Sequence, residues 1–129
     1  MSSLSLLTLN IANPSAARAG RQLEWLASRD EDVFVLTETK VSDGCQLLAE
    51  AFLTAGYAVM FPEPGPGEYG TMIISKVRAE PDNWNQRLGY LAARAATAIL
   101  PAPGGDLHLI GLYVPSRDAS LEKTERKRR

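Results

Sequence analysis

Two side chains stand out by type and by place. Glu38 ends a buried-looking strand in the run Asp32-Val33-Phe34-Val35-Leu36-Thr37-Glu38-Thr39-Lys40, and Asn10 ends another, Leu4-Ser5-Leu6-Leu7-Thr8-Leu9-Asn10. A carboxylate and a carboxamide at the carboxyl ends of two apolar strands can meet where an α/β sheet opens to a ligand, with room for one hard cation between them. Each residue also has a plainer reading. A glutamate there is a solvated strand end, and an asparagine is a turn former that bonds its own backbone.

The surrounding elements must bring the two together. Residues 4–11 read as a strand. Asn13-Pro14 then suits a helix start, with Asn13 as the cap and Pro14 in the first helical position. Ala16, Ala19, Leu23, Leu26 and Ala27 recur at helical spacing, predicting an amphipathic helix over 14–28. The β-branched run 33–36 is typical of a strand covered on both faces. Asp43 is the expected cap of a second helix, with Gln46 as its capping-box partner. Leu47, Leu48, Ala51, Phe52 and Ala55 form its apolar face, and Gly56 suits the position just past its end. Residues 57–61 form a third strand.

Three prolines and two glycines make 62–68 a loop; without a following lysine and helix it is no P-loop. Residues 69–75 read as a strand and 76–89 as irregular, holding Trp84. Alanines blur the period of 91–100, but the Pro-Gly turn at 101–105 and the run 107–114 favour a hairpin over 91–114. In the charged tail, Glu122 and Arg126, and Glu125 and Arg129, sit four apart with the acid first, the favourable helical order.

With 129 residues the chain makes one domain, able to bury roughly two-thirds of its unfolded surface. The net charge of −1 offers no global field for nucleic acid or an anionic membrane, so anion binding must be local. A single cysteine, Cys45, excludes an internal disulfide. No apolar run approaches the ~18 residues a membrane span needs, and no signal-peptide pattern opens the chain. The expectation is a soluble, cytoplasmic protein.

The order of these segments carries a resemblance. A strand ending in Asn10, a helix, a strand ending Thr37-Glu38-Thr39-Lys40, a helix and a short strand are followed by Tyr69-Gly70-Thr71-Met72-Ile73-Ile74-Ser75-Lys76, a hairpin, and Gly111-Leu112-Tyr113-Val114-Pro115-Ser116. This is similar to the N-terminal half of the endonuclease/exonuclease/phosphatase family, the metal-dependent phosphoesterases that include exonuclease III. The resemblance implies an α/β fold, part of a four-layer sandwich of two mixed sheets flanked by helices. It implies a hydrolase of phosphoesters, an endonuclease or exonuclease on DNA first, with inositol phosphates and phospholipid head groups as the other family substrates. The implied cofactor is Mg2+, with Mn2+ as the alternative. Glu38 then matches the metal-binding glutamate, and Asn10 the asparagine of the metal and phosphate site. Tyr113 matches the tyrosine near the scissile phosphate. Arg94 matches a structural arginine, Lys40 follows the glutamate as in DNA-repair members, and Ser116 stands where many nucleases have asparagine.

The family's later motifs are missing. No Asp-x-Asn follows Tyr113, and the one histidine, His108, lies before it in a strand. The expectation is a chain that supplies the metal-anchoring half of a site and is a poor catalyst alone. The competing expectation is a non-catalytic module that associates with itself or a partner through exposed sheet edges. The remaining groups have simpler readings: Cys45 is an inert thiol, Trp25 and Trp84 are packing groups, and Lys123, Arg126, Lys127, Arg128 and Arg129 are a solvated helix face.

Overall fold

A computed structural model describes residues 4–81, 94–102 and 104–114. The elements run β1 (Leu6–Asn10), α1 (Ala16–Ala27), β2 (Val33–Thr39), α2 (Asp43–Thr54), β3 (Ala58–Met60), β4 (Gly70–Ser75), β5 (Glu80–Pro81), β6 (Ala95–Ala102) and β7 (Gly105–Leu112). β1 and β2 are parallel neighbours, and a parallel pair needs a crossover, which α1 supplies. β4 lies antiparallel to both β2 and β3, giving a mixed sheet in the order β1-β2-β4-β3. A second antiparallel sheet has the order β5-β6-β7.

β2 and β4 are the middle of the molecule because both of their faces are covered. Side chains alternate across a strand, and here the alternation divides two cores. Phe34, Leu36, Met72 and Ile74 pack beneath the helices, against Ala19, Leu26, Cys45, Leu48 and Phe52. Val33, Val35 and Ile73 point the other way, onto Ala96, Ala98 and Leu100 of the second sheet. Helices, first sheet and second sheet are thus three layers of an α/β sandwich. The uninterrupted apolar run of β2 is what a doubly covered strand requires.

The two sheets approach closely, and small residues allow it. A methyl group added at Gly111 would stand 2.6 Å from Val35 Cγ1 and 3.2 Å from Thr71 Cγ2. β6 is alanine-rich and buried on both faces at Ala95, Ala96 and Ala98, which is why its sequence showed no period. Its pairing with β7, from Ala95 opposite Leu112 to Ala102 opposite Gly105, gives the expected hairpin.

Both expected helix caps are displaced. Ser15, not Asn13, caps α1: its Oγ accepts from the Arg18 N–H at 3.2 Å. Asn13 is instead held in a left-handed turn (φ +40), its N–H donating to the Glu38 carbonyl at 2.8 Å. Pro14 therefore precedes the cap. Ser42, not Asp43, caps α2, accepting from the Cys45 N–H at 3.3 Å. Asp43 becomes the first helical residue, where its charge suits the helix dipole, and the Asp43–Gln46 box does not form. The end of α2 follows expectation. Gly56 takes φ +94 and donates to Leu53, while Tyr57 donates to Phe52, the paired bonds of a Schellman stop. The Phe52 and Tyr57 rings close it at 5.0 Å.

The short strand β5 corrects the irregular reading of residues 76–89. Trp84, residues 91–93, Ser116 and the tail lie outside the described residues. Trp25 is not the packing group expected: it is 44% exposed, with the Arg29 guanidinium 5.2 Å from its ring centroid. Cys45 is fully buried. Among the described residues no helix is long and apolar enough to cross a membrane.

Candidate functional site

Four strand ends converge on one rim of the sandwich: the last residue of β1, the bulged end of β2, the residue just before β4 and the residue just past β7. They carry Asn10, Glu38, Tyr69 and Tyr113.

Glu38 is aimed by a defect in the ladder. Thr37 pairs with Thr71 and Thr39 pairs with Gly70, so Glu38 is the extra residue of a β-bulge. Its φ of +60 is costly for a residue with a side chain. Bulges re-aim side chains beside functional sites, and this one turns the glutamate towards β1. Asn10 Nδ2 donates to Glu38 Oε2 at 2.8 Å. Asn10 Oδ1 accepts from the Ala12 N–H at 2.8 Å. The carboxamide thus closes a turn with its oxygen, as its plainer reading had it, while its nitrogen meets the carboxylate directly, where the sequence reading set a cation between the two groups.

The loop after β1 is fastened from two sides. The Ile11 N–H donates to the Thr37 carbonyl at 3.0 Å and the Asn13 N–H to the Glu38 carbonyl. From α1, Arg18 Nη2 donates to the Ala12 carbonyl at 2.6 Å, and Gln22 Nε2 to the Ile11 carbonyl at 3.2 Å. Arg18 and Gln22 were missed in the sequence. Their spacing of four, on the helix just after the Asn10 loop, was the available signal.

Tyr113 is held by a shared acceptor. The Arg94 carbonyl accepts from the Tyr113 N–H at 2.8 Å and from Thr71 Oγ1 at 2.8 Å, tying the hairpin to β4. The Tyr113 ring meets Tyr69 edge-on at 5.8 Å, and Lys40 Nζ lies 4.7 Å from the Tyr69 ring centroid. Burial raises the Tyr113 phenol above the ordinary tyrosine value; the negative field of Glu38 and the neighbouring Tyr69 add to this, and Arg94 opposes it. The phenol is therefore a proton donor at neutral pH. Arg94 Nε is buried without a hydrogen-bond partner, so a guanidinium stands beside Tyr113 with a donor to spare.

His108 is not part of this rim. It sits in mid-β7 opposite Ile99, roughly 17 Å from Tyr113 at strand rise. Among the described residues no three His, Cys, Asp or Glu side chains gather as a metal-ligand cluster. Glu38 nevertheless keeps acceptor capacity beyond its bond to Asn10. One carboxylate is a sufficient protein anchor for a magnesium ion that retains its waters and takes substrate oxygens.

What the fold and rim define is an α/β sandwich with a rim of polar strand ends over two facing sheets. No family model matches the chain, and no curated protein matches it. Among solved structures, TDP2 from Caenorhabditis elegans is similar, with a TM-score of 0.56 at 18% sequence identity. The match covers 98% of this chain and 44% of that one, so the chain spans less than half the length of its structural neighbour. The likeness is one of fold.

Proposed function

We propose that this chain carries the metal-anchoring part of a site that hydrolyses phosphoesters in nucleic acid, DNA first. The observation behind this reading is the Asn10–Glu38 contact, built at a bulge whose backbone is strained at Glu38. Strain of this kind is kept where a side chain must point one way. The fold likeness to TDP2 supports the scaffold that this reading requires.

Glu38 would hold the divalent cation, magnesium or manganese, and Asn10 fixes the rotamer of Glu38 through its amide nitrogen. When bound, such an ion polarises a phosphoryl oxygen and contributes several kcal/mol to the transition state. Tyr113, kept protonated, donates to a phosphate oxygen, and Arg94 balances the charge beside it. No base for the attacking water is placed at the described rim. The chain alone is therefore a weak catalyst.

The test is cation binding followed directly. Mn2+ bound by the purified chain, read from its spin-resonance signal, is expected to be displaced by Mg2+ and lost in Glu38→Gln with the fold intact. Unchanged Mn2+ affinity in that variant would sink the reading.

One observation favours a second reading, a self-associating module. The edge strands expose large apolar side chains: Leu6 is 46%, Ile110 42% and Leu112 50% exposed. Apolar edges with no further neighbour among the described residues invite pairing with a second copy. A monomer by light scattering at high micromolar concentration would dispose of it.

A further inference from the structure

Beside the rim, a cavity of about 350 Å³ opens between the end of β2 and the proline-rich loop, lined by Lys40, Val41, Pro64, Gly65, Pro66 and Gly67. Its far wall is preformed. Pro66 and Gly67 are the central residues of a turn closed by the Glu68 N–H donating to the Gly65 carbonyl at 3.1 Å, with Gly67 at φ +77. Proline second and a positive-φ glycine third are what a type II turn requires. Pro64 is buried and fixes the base of the loop. On the near wall Val41 leaves 56% of its surface exposed to the cavity and solvent.

From these walls we infer that the cavity is a subsite for one unstacked nucleobase of the substrate, flanking the phosphate at Glu38. This rests on the nucleic-acid reading above. The volume lies at the small end of the ~300–1,000 Å³ range of small-molecule sites, enough for a single base. Its surfaces are apolar and rigid, suited to a flat ring, and ordering them costs little on binding. The cavity's one charge is Lys40, two residues beyond Glu38 and so within about 7 Å along the backbone. It is held over the Tyr69 ring, which abuts Tyr113. An ammonium so placed meets the phosphate joining the bound base to the reacting one. A base in the cavity and a phosphate on Lys40 are the two halves of single-strand recognition, a stacking surface beside a cation.

The experiment is equilibrium binding of the full chain to a fluorescein-labelled trideoxynucleotide, in calcium so that cleavage does not intervene. It is repeated with each base in turn replaced by tetrahydrofuran. Removing one particular base is expected to weaken binding about tenfold. Val41→Asn should weaken the intact ligand by a similar factor while leaving the affinity for that base-less ligand unchanged. Lys40→Gln should weaken both ligands equally, because it acts on the phosphate. Equal affinity for intact and all base-less ligands overturns the subsite alone, as does a Val41→Asn loss that falls equally on both. Failure of every oligonucleotide to bind overturns the subsite and the nucleic-acid reading together. The ligand series needs no variant, so the result does not hang on how Val41→Asn folds.

Discussion

At residue 38 a side chain and its backbone want different things. The carboxylate is directed at Asn10, and the left-handed φ is conformationally cheap only for glycine. Glu38→Gly and Glu38→Ala both delete the acid, but only the first relieves the backbone. The glycine variant should be the more stable by about 1 kcal/mol in urea unfolding, the reverse of the order inside an ordinary strand. Tyr113 makes a separate prediction. Folding raises its pKa, so its protonated form contributes fully to stability below the unfolded value of about 10 and fades as pH climbs through the folded value. Tyr113→Phe should remove an ionisation step above pH 10 from the absorbance titration and lessen the alkaline loss of stability. The pairing of residues 10 and 38 was legible because both ended apolar runs. The bulge that achieves it was not, since a one-residue slip in pairing leaves no mark on composition.

Among the elements, order and type were legible, and the misreadings share a cause. Asn13 and Asp43 are good caps by type, yet each was passed over for a serine. Asn13 lost the role because its backbone was already engaged with the end of β2, a contact between segments far apart in sequence. Ser42→Ala should therefore cost about 1 kcal/mol, and Asp43→Ala less, by chemical denaturation of each. The alanine-rich β6 hid its period because both its faces are buried against close neighbours. Gly111→Ala tests that closeness. The added methyl meets Val35, and overpacking of this kind costs about 1–3 kcal/mol. In a Val35→Ala background the same change should cost less, a coupling read from the double-mutant cycle.

For the molecule as a whole, the metal-anchoring role proposed for Glu38 implies that stability depends on cation. An ion that binds only the folded chain adds about 1.4 kcal/mol at ten times its Kd. Addition of Mg2+ should thus raise the melting temperature, a chelator should reverse the rise, and Glu38→Gln should abolish both effects. Hydrolysis of a single-stranded oligonucleotide by the chain alone should be slight. Robust turnover that Glu38→Ala removes would mean that a water-activating group exists in this chain after all. Burial in the middle strands and the exposed apolar edges belong to the same architecture: β2 and β4 are covered on both faces, while β1 and β7 each have one described neighbour.

The extruded glutamate has a consequence for how such a chain changes over generations. Thr37 and Thr39 already face consecutive partners, Thr71 and Gly70. Loss of the single codon between them would leave an unbroken ladder and a relaxed strand. Inheritance thus has a one-step route to a sturdier molecule with an empty rim, and a lineage that no longer needed the acid would be free to take it.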